Sequence, residues 1–77
     1  MRIFLDTDVD AATVALEVPA PGENVVLRDD VIAIVDHGRL TAVELLNVSQ
    51  HGDPFDEAAA TRVLEWVRGL LAARVAS

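Results

Sequence analysis

The chain has 77 residues, which is enough for one domain. It contains no cysteine, so disulfide bridges and cysteine-based zinc or redox sites are excluded. Its formal net charge of −7 disfavours binding to DNA or RNA, because an acidic surface repels the phosphate backbone.

Two short segments near the N-terminal end predict a β-hairpin. Residues 2–5 form an apolar run that stops at an acidic turn over residues 6–10. Residues 13–18 alternate between apolar and small or polar side chains, which is typical of a half-buried strand. A loop rich in proline follows at residues 19–24, since proline cannot donate ladder hydrogen bonds.

A second hairpin is predicted further along the chain. After a brief extended piece at residues 25–27, residues 31–35 form the strongest candidate strand, and residues 40–46 form its return strand. The intervening turn at residues 36–39 is short, and Gly38 can take the positive φ that tight hairpin turns require. So short a loop makes the two strands antiparallel neighbours.

The last third of the chain predicts one helix over residues 53–75. Asp53 suits the N-cap and Pro54 suits the first helical position. The whole sequence therefore predicts a single α+β domain over residues 1–77. Its curled antiparallel sheet of about four strands occupies residues 1–49 and precedes the helix.

No stretch approaches the roughly 20 apolar residues of a membrane span. The five residues before the first acidic cluster are too few for the apolar part of a signal peptide. We therefore expect a cytoplasmic protein that does not enter membranes.

Apolar residues make up 52% of the chain, which is high for a domain of this size. The strand at residues 31–35 is apolar on both faces, and the helix is apolar around well over half its circumference. We expect the surplus to be buried in a homodimer or against another protein. Trp66 is one candidate anchor, although it could equally close the core of the monomer. The predicted interface residues are Ile32, Ile34, Glu44, Val63, Trp66, Val67, Leu70 and Leu71.

The candidate chemical groups do not form a convincing catalytic or metal site. Asp6, Asp8, Asp10 and Glu17 match the spacing of acidic ligands in a calcium loop. The required glycine is replaced by Ala11, so a turn in which Asp6 or Asp10 caps backbone groups is the preferred interpretation.

Three further sets of polar residues are candidates for a functional role. Ser49, His51 and Asp53 match the Ser-His-Asp catalytic triad in residue type only. His37 is expected at a solvated hairpin tip. Glu44 interrupts an apolar strand. It would be either an outward-facing carboxylate or the acceptor of a basic residue from a partner, and a core-facing Glu44 would need Arg28 or Arg39 beside it. We predict no catalytic residue, no metal and no cofactor.

Several residues in the first two-thirds of the chain resemble the short bacterial family catalogued as domain of unknown function twenty-two eighty-three. The family pattern has an aspartate-alanine strand, an aspartate-glycine hairpin and a glutamate-x-leucine-x-x-serine ending. The family tyrosine is replaced by Leu5, and the hairpin spacing from Asp36 is one residue shorter. The matching positions are Asp6, Asp10, Ala11, Asp36, Gly38, Glu44, Leu46 and Ser49.

This resemblance implies a small β-rich fold without assigned catalytic residues, and some relatives resemble antitoxins that neutralise small basic ribonuclease-like toxins. The leading hypothesis is a small acidic protein-interaction module, antitoxin-like, that neutralises a basic partner protein. The alternative is a self-contained homodimeric scaffold or small-molecule-binding module. A metal-dependent enzyme built on Asp6, Asp8 and Asp10 is the third hypothesis.

Overall fold

Five strands and one α-helix form the domain in the computed structural model, which describes residues 1–76 and the side chains of residues 1–74. The predicted α+β architecture is confirmed, with five strands rather than about four, because residues 23–28 form a complete edge strand. The elements are β1 (Arg2–Asp6), β2 (Ala11–Ala15), β3 (Glu23–Arg28), β4 (Val31–Asp36), β5 (Arg39–Leu46), a 3₁₀ turn (Val48–His51) and α1 (Glu57–Ala76).

The strands form one antiparallel sheet in the order β1-β2-β5-β4-β3. Both predicted hairpins are present, β1 with β2 and β4 with β5, and β3 pairs with β4 as a third. The connection over residues 16–22 carries the chain from β2 to the far edge of the sheet. β5 is therefore the central strand of the sheet, although it is the last strand along the chain.

The turn between β4 and β5 has the geometry that its sequence predicts. His37 has φ of 52° and Gly38 has φ of 79°. Two consecutive residues with positive φ match the right-handed twist of a hairpin. Asp36 and Arg39 close the ladder on either side of this turn.

β2 ends earlier than the alternation of residues 13–18 predicts. The backbone N–H groups of Leu16 and Glu17 both point to the carbonyl oxygen of Thr41, at 2.8 and 3.3 Å. Thr41 is the extra residue of a bulge in β5, and its buried hydroxyl lies 2.7 Å from the carbonyl oxygen of Pro21. The shared acceptor breaks the regular ladder, so the strand stops at Ala15.

The core lies between α1 and one face of the sheet. Alternate residues of β2, β4 and β5 point toward the helix, as expected for a sheet with one covered face. Burying these side chains is the main favourable contribution to folding. The buried sheet and helix residues of this core are Ala12, Val14, Val31, Ala33, Leu40, Val43, Leu45, Ala59, Ala60, Val63, Leu64 and Val67.

The helix begins at Glu57, so the predicted start at Asp53 is wrong. Asp56 is the N-cap: its carboxylate accepts a hydrogen bond of 3.0 Å from the N–H of Ala59. Phe55 precedes the cap and is buried in the same core as Ala60, which is the arrangement of a hydrophobic staple. Both acidic residues could cap a helix, and the burial of Phe55 is what favours Asp56.

Two glycines should respond in opposite ways to substitution by alanine. Gly22 has φ of 124°, and an added Cβ would lie 2.3 Å from the carbonyl oxygen of Val35. We expect Gly22→Ala to lower the free energy of unfolding by more than about 1 kcal/mol. Gly69 lies in α1, and no atom lies within 4 Å of an added Cβ. Gly69→Ala should therefore raise the free energy of unfolding by roughly 0.5–1 kcal/mol. Urea unfolding of both variants measures the difference, and equal effects would contradict the described backbone.

Candidate interaction surface

The sheet face turned away from α1 carries apolar side chains outside the main core. The strand registers align one row across all five strands, Phe4–Thr13–Glu44–Ile32–Val26. Ile34 lies in the next row, and Leu46 lies beside Glu44 on β5. We call this surface the open face and define it by Phe4, Thr13, Val26, Ile32, Ile34, Glu44 and Leu46.

The open face is apolar and accessible. Phe4 is 44% exposed, Val26 is 60% exposed and Leu46 is 47% exposed. Ile32 and Ile34 are half-buried by their neighbours on the sheet. Leaving such side chains in water forgoes roughly 1.5–3 kcal/mol each relative to full burial. Large apolar side chains exposed on one face of a sheet can contribute to a surface that binds another protein.

Glu44 is the charged residue in the middle of the apolar row. It lies between Thr13 and Ile32 on the neighbouring strands and is half-buried. Within the described part of the chain, no hydrogen bond or ion pair engages its carboxylate. Arg39 is instead paired with Glu17 at 3.1 Å and with Asp36 at 3.5 Å. The carboxylate of Glu44 is therefore free to accept a donor from outside.

An open depression of about 280 Å³ lies between Glu44 and the outer strand β1. Its walls combine apolar side chains with two carboxylates, those of Asp6 and Glu44. This combination suits the aliphatic stem and charged end of a lysine or arginine. The depression is lined by Phe4, Leu5, Asp6, Ala11, Ala12, Thr13, Glu44, Leu45 and Leu46.

Three of the predicted interface residues lie together on the open face: Ile32, Ile34 and Glu44. Val63 is 5% exposed and Val67 is fully buried in the core of the monomer, so the structure corrects their assignment to a partner interface. The described side chains of α1 include no large exposed apolar residue, because alanines occupy much of the circumference. The apolar surplus is on the sheet rather than on the helix.

The remaining predicted anchors belong to the edge of the core. Trp66 and Leu71 are partly buried and pack against it, and Leu70 is half-buried. The guanidinium of Arg28 lies 5.4 Å from the centre of the Trp66 ring, and the ring of His51 lies 5.6 Å from it. These contacts fix α1 against the end of β3.

His51 connects this cluster to the turn between β3 and β4. Its Nε2 is buried and makes no hydrogen bond within the described residues, and it lies 3.7 Å from a carboxylate oxygen of Asp30. That pair is ionic only when the imidazole is protonated. Ser49 donates its hydroxyl to Asp10 and not to His51, so Ser49, His51 and Asp53 are not linked as a catalytic triad. His37, by contrast, lies at the exposed hairpin tip, as predicted.

The acidic turn residues form hydrogen bonds within the fold. A carboxylate oxygen of Asp6 accepts the backbone N–H of Asp8 at 3.1 Å, which confirms the predicted cap. Asp10 reaches a distant segment: its carboxylate accepts the N–H of Ser49 at 3.1 Å and the hydroxyl of Ser49 at 2.7 Å. In the part of the chain that the structure describes, no group of three or more acidic, histidine or cysteine residues could hold a metal ion.

Sequence reasoning missed Phe4, Thr13, Val26 and Leu46 as parts of the surface. Phe4 and Thr13 could have been paired from the predicted hairpin of the first two strands, because directly opposed residues share a face. Leu46 lies two residues after Glu44 in the predicted return strand, so alternation already places both on one face. Val26 depends on the order of β3, β4 and β5 in the sheet. The sequence carries no local signal for that order.

Comparison of the chain with protein-family models, with curated proteins and with solved structures found no match. The resemblance to the family named above therefore stays a prediction. Among residues 1–76, no helix combines the length and hydropathy needed to cross a bilayer.

The contact between Asp10 and Ser49 should stabilise the connection from β5 to α1. Asp10→Ala removes both hydrogen bonds and places alanine at φ of 51°, so we expect it to lower the free energy of unfolding by about 2 kcal/mol. Ser49→Ala removes only the hydroxyl contact and should lower it by about 1 kcal/mol.

A double-mutant cycle by urea unfolding measures the coupling between these two residues, which should be at least about 0.5 kcal/mol. Asp8→Ala is the matched control, because Asp8 is exposed and should change stability by less than about 0.5 kcal/mol. Additive effects of the two substitutions would contradict the contact.

Proposed function

We propose that this chain is an acidic protein-interaction module that binds a basic partner protein on its open face. The observation that carries the proposal is the half-buried carboxylate of Glu44, which has no partner among the described side chains and lies between apolar residues of the sheet. A carboxylate in such surroundings gains most from a positively charged donor that arrives together with apolar surface.

The charge of the whole chain supports a basic partner. The net charge of −7 attracts a positively charged protein over several ångströms and accelerates encounter at low salt. The depression beside Glu44 then accepts one basic side chain, while Phe4 and Leu46 cover its stem. Long-range charge and local shape therefore favour the same class of partner.

The depression is a poorer fit to a small-molecule ligand. Its volume of about 280 Å³ lies at the lower limit of the roughly 300–1,000 Å³ that is typical of ligand pockets. It is also open to solvent, so it would bury little of a free ligand. A protein partner covers the depression and the apolar row around it at the same time.

The family resemblance extends the proposal to an antitoxin-like role in the cytoplasm. The residues that carry the resemblance include Glu44 on the open face and the hydrogen-bonded pair Asp10 and Ser49. In this role the open face would cover the active surface of a small basic toxin and neutralise it. No catalytic residue of this chain takes part.

Reversal of the charge at Glu44 should remove partner binding. The protein encoded by the adjacent reading frame is co-expressed with tagged wild-type chain, with Glu44→Arg and with Glu65→Arg. Glu65 is exposed on the helix, away from the open face, so Glu65→Arg makes the same change in net charge elsewhere. We expect wild type and Glu65→Arg to capture the neighbour, and Glu44→Arg to weaken capture by at least about 30-fold.

Cell growth provides the second measurement in the same strains. A toxic neighbour should be neutralised by wild type and by Glu65→Arg but not by Glu44→Arg. Equal capture by all three chains would contradict a role for the open face. A harmless neighbour that none of them captures would remove the antitoxin-like proposal.

A further inference from the structure

β1 is an edge strand whose outer backbone groups have no strand partner within residues 1–76. Ile3 is half-buried, whereas Phe4 is 44% exposed and Leu5 is 52% exposed. The register with β2 runs without a bulge from Arg2 to Asp6. A regular, apolar and exposed edge is a template for pairing with another strand.

The opposite edge of the sheet is protected. The pairing of β3 with β4 contains a register shift between Val26 and Arg28, which interrupts the ladder. Arg28 is held over the ring of Trp66 at this point. Bulges and charged side chains are the usual means of preventing edge-to-edge association. β1 has no bulge between Arg2 and Asp6, and its only charged side chains are those two terminal residues.

We propose that β1 pairs antiparallel with β1 of a second copy of this chain, in the register that places Phe4 opposite Phe4. Such pairing about a two-fold axis aligns residues that are equally distant from Phe4. Arg2 then lies opposite Asp6 of the second copy, and Ile3 lies opposite Leu5. Directly opposed residues of an antiparallel pair share a face, so these pairs meet side by side.

The strand sequence is self-complementary in this register. Arg2 and Asp6 have opposite charge and point to the open face, as their alternation with Ile3 and Leu5 requires. The two-fold axis creates this ion pair twice. Ile3 and Leu5 point to the helix side, so the pairing also joins apolar side chains there. A neutral or uniformly charged edge would not select a second copy in this way.

The assembly would contain one continuous sheet of ten strands with both helices on the same face. The two open faces would become one surface. Arg2 of the second copy would neutralise Asp6, and Glu44, two strands further in, would stay available. The self-pairing therefore does not depend on the proposed function, and one can fail without the other.

Cysteine cross-linking tests the register directly, because the natural chain has no cysteine. Directly opposed Cα atoms in antiparallel strands are about 4.5–5.5 Å apart, which suits a disulfide. We expect Phe4→Cys to form a covalent dimer under mild oxidation. The control is Val26→Cys, which is 60% exposed on the protected edge and should stay monomeric on a denaturing gel.

Charge exchange tests the same pairing without cross-linking, by sedimentation over a range of concentrations. Arg2→Asp alone should weaken self-association by on the order of tenfold, because both ion pairs become repulsive. Asp6→Arg alone should do the same. The double variant, and an equimolar mixture of the two single variants, should restore association. In both cases position 2 of one copy and position 6 of the other again carry opposite charges.

Restoration also controls for damage to the fold, because Asp6→Arg loses the cap on Asp8 in the single and double variants alike. The proposal is overturned if wild type sediments as a monomer at all concentrations. It is equally overturned if Phe4→Cys and Val26→Cys cross-link to the same extent, or if the mixture associates no better than either single variant.

Discussion

A single helix covers only one face of the five-stranded sheet, and the rest of the structure depends on this constraint. The covered face holds the core of valine, leucine and alanine residues beneath α1. The uncovered face is built from the alternate residues of the same strands, and several of those are also apolar. Within residues 1–76 no second α-helix or sheet is present to form a layer over this face.

The connection from the sheet to the helix keeps α1 on its own face. The left-handed conformation of Asp10 aims its carboxylate at Ser49, 39 residues later in the chain. The carbonyl oxygen of Asp10 also accepts the N–H of Val48 at 2.9 Å. The turn between the first two strands thus holds the segment that follows the last strand. At the other end of this segment, Asp56 caps α1 and Phe55 enters the core.

The sequence predicted features that depend on local residues. The turn at His37 and Gly38 followed from a short polar loop between two apolar strands, and the hairpins followed from their spacing. The helix start was misplaced because Asp53 and Asp56 both suit a cap, and only the burial of Phe55 distinguishes them. The composition predicts an apolar surplus, but α1 does not expose it, because much of the helix surface is alanine and its valines are buried.

The composition of the open face required information that the sequence does not contain. Phe4, Glu44 and Val26 lie in one row because β5 inserts between β2 and β4. That order depends on long-range packing, and residue periodicity is the same for any strand order. The patterns of their own strands predict Ile32, Ile34 and Glu44, whereas Val26 becomes recognisable only when the strand order is known.

The central claim is that the open face is accessible in the free chain and covered in the complex. Its most direct test is the relaxation of the three isoleucine methyl groups by a soluble paramagnetic probe, measured by NMR. In the free chain, the methyls of the half-buried Ile32 and Ile34 should respond to the probe, and that of Ile3, which is also half-buried but faces the helix side, is the reference. Addition of the protein encoded by the adjacent reading frame should slow the relaxation of Ile32 and Ile34. Binding of that protein with both methyls still accessible would contradict the account.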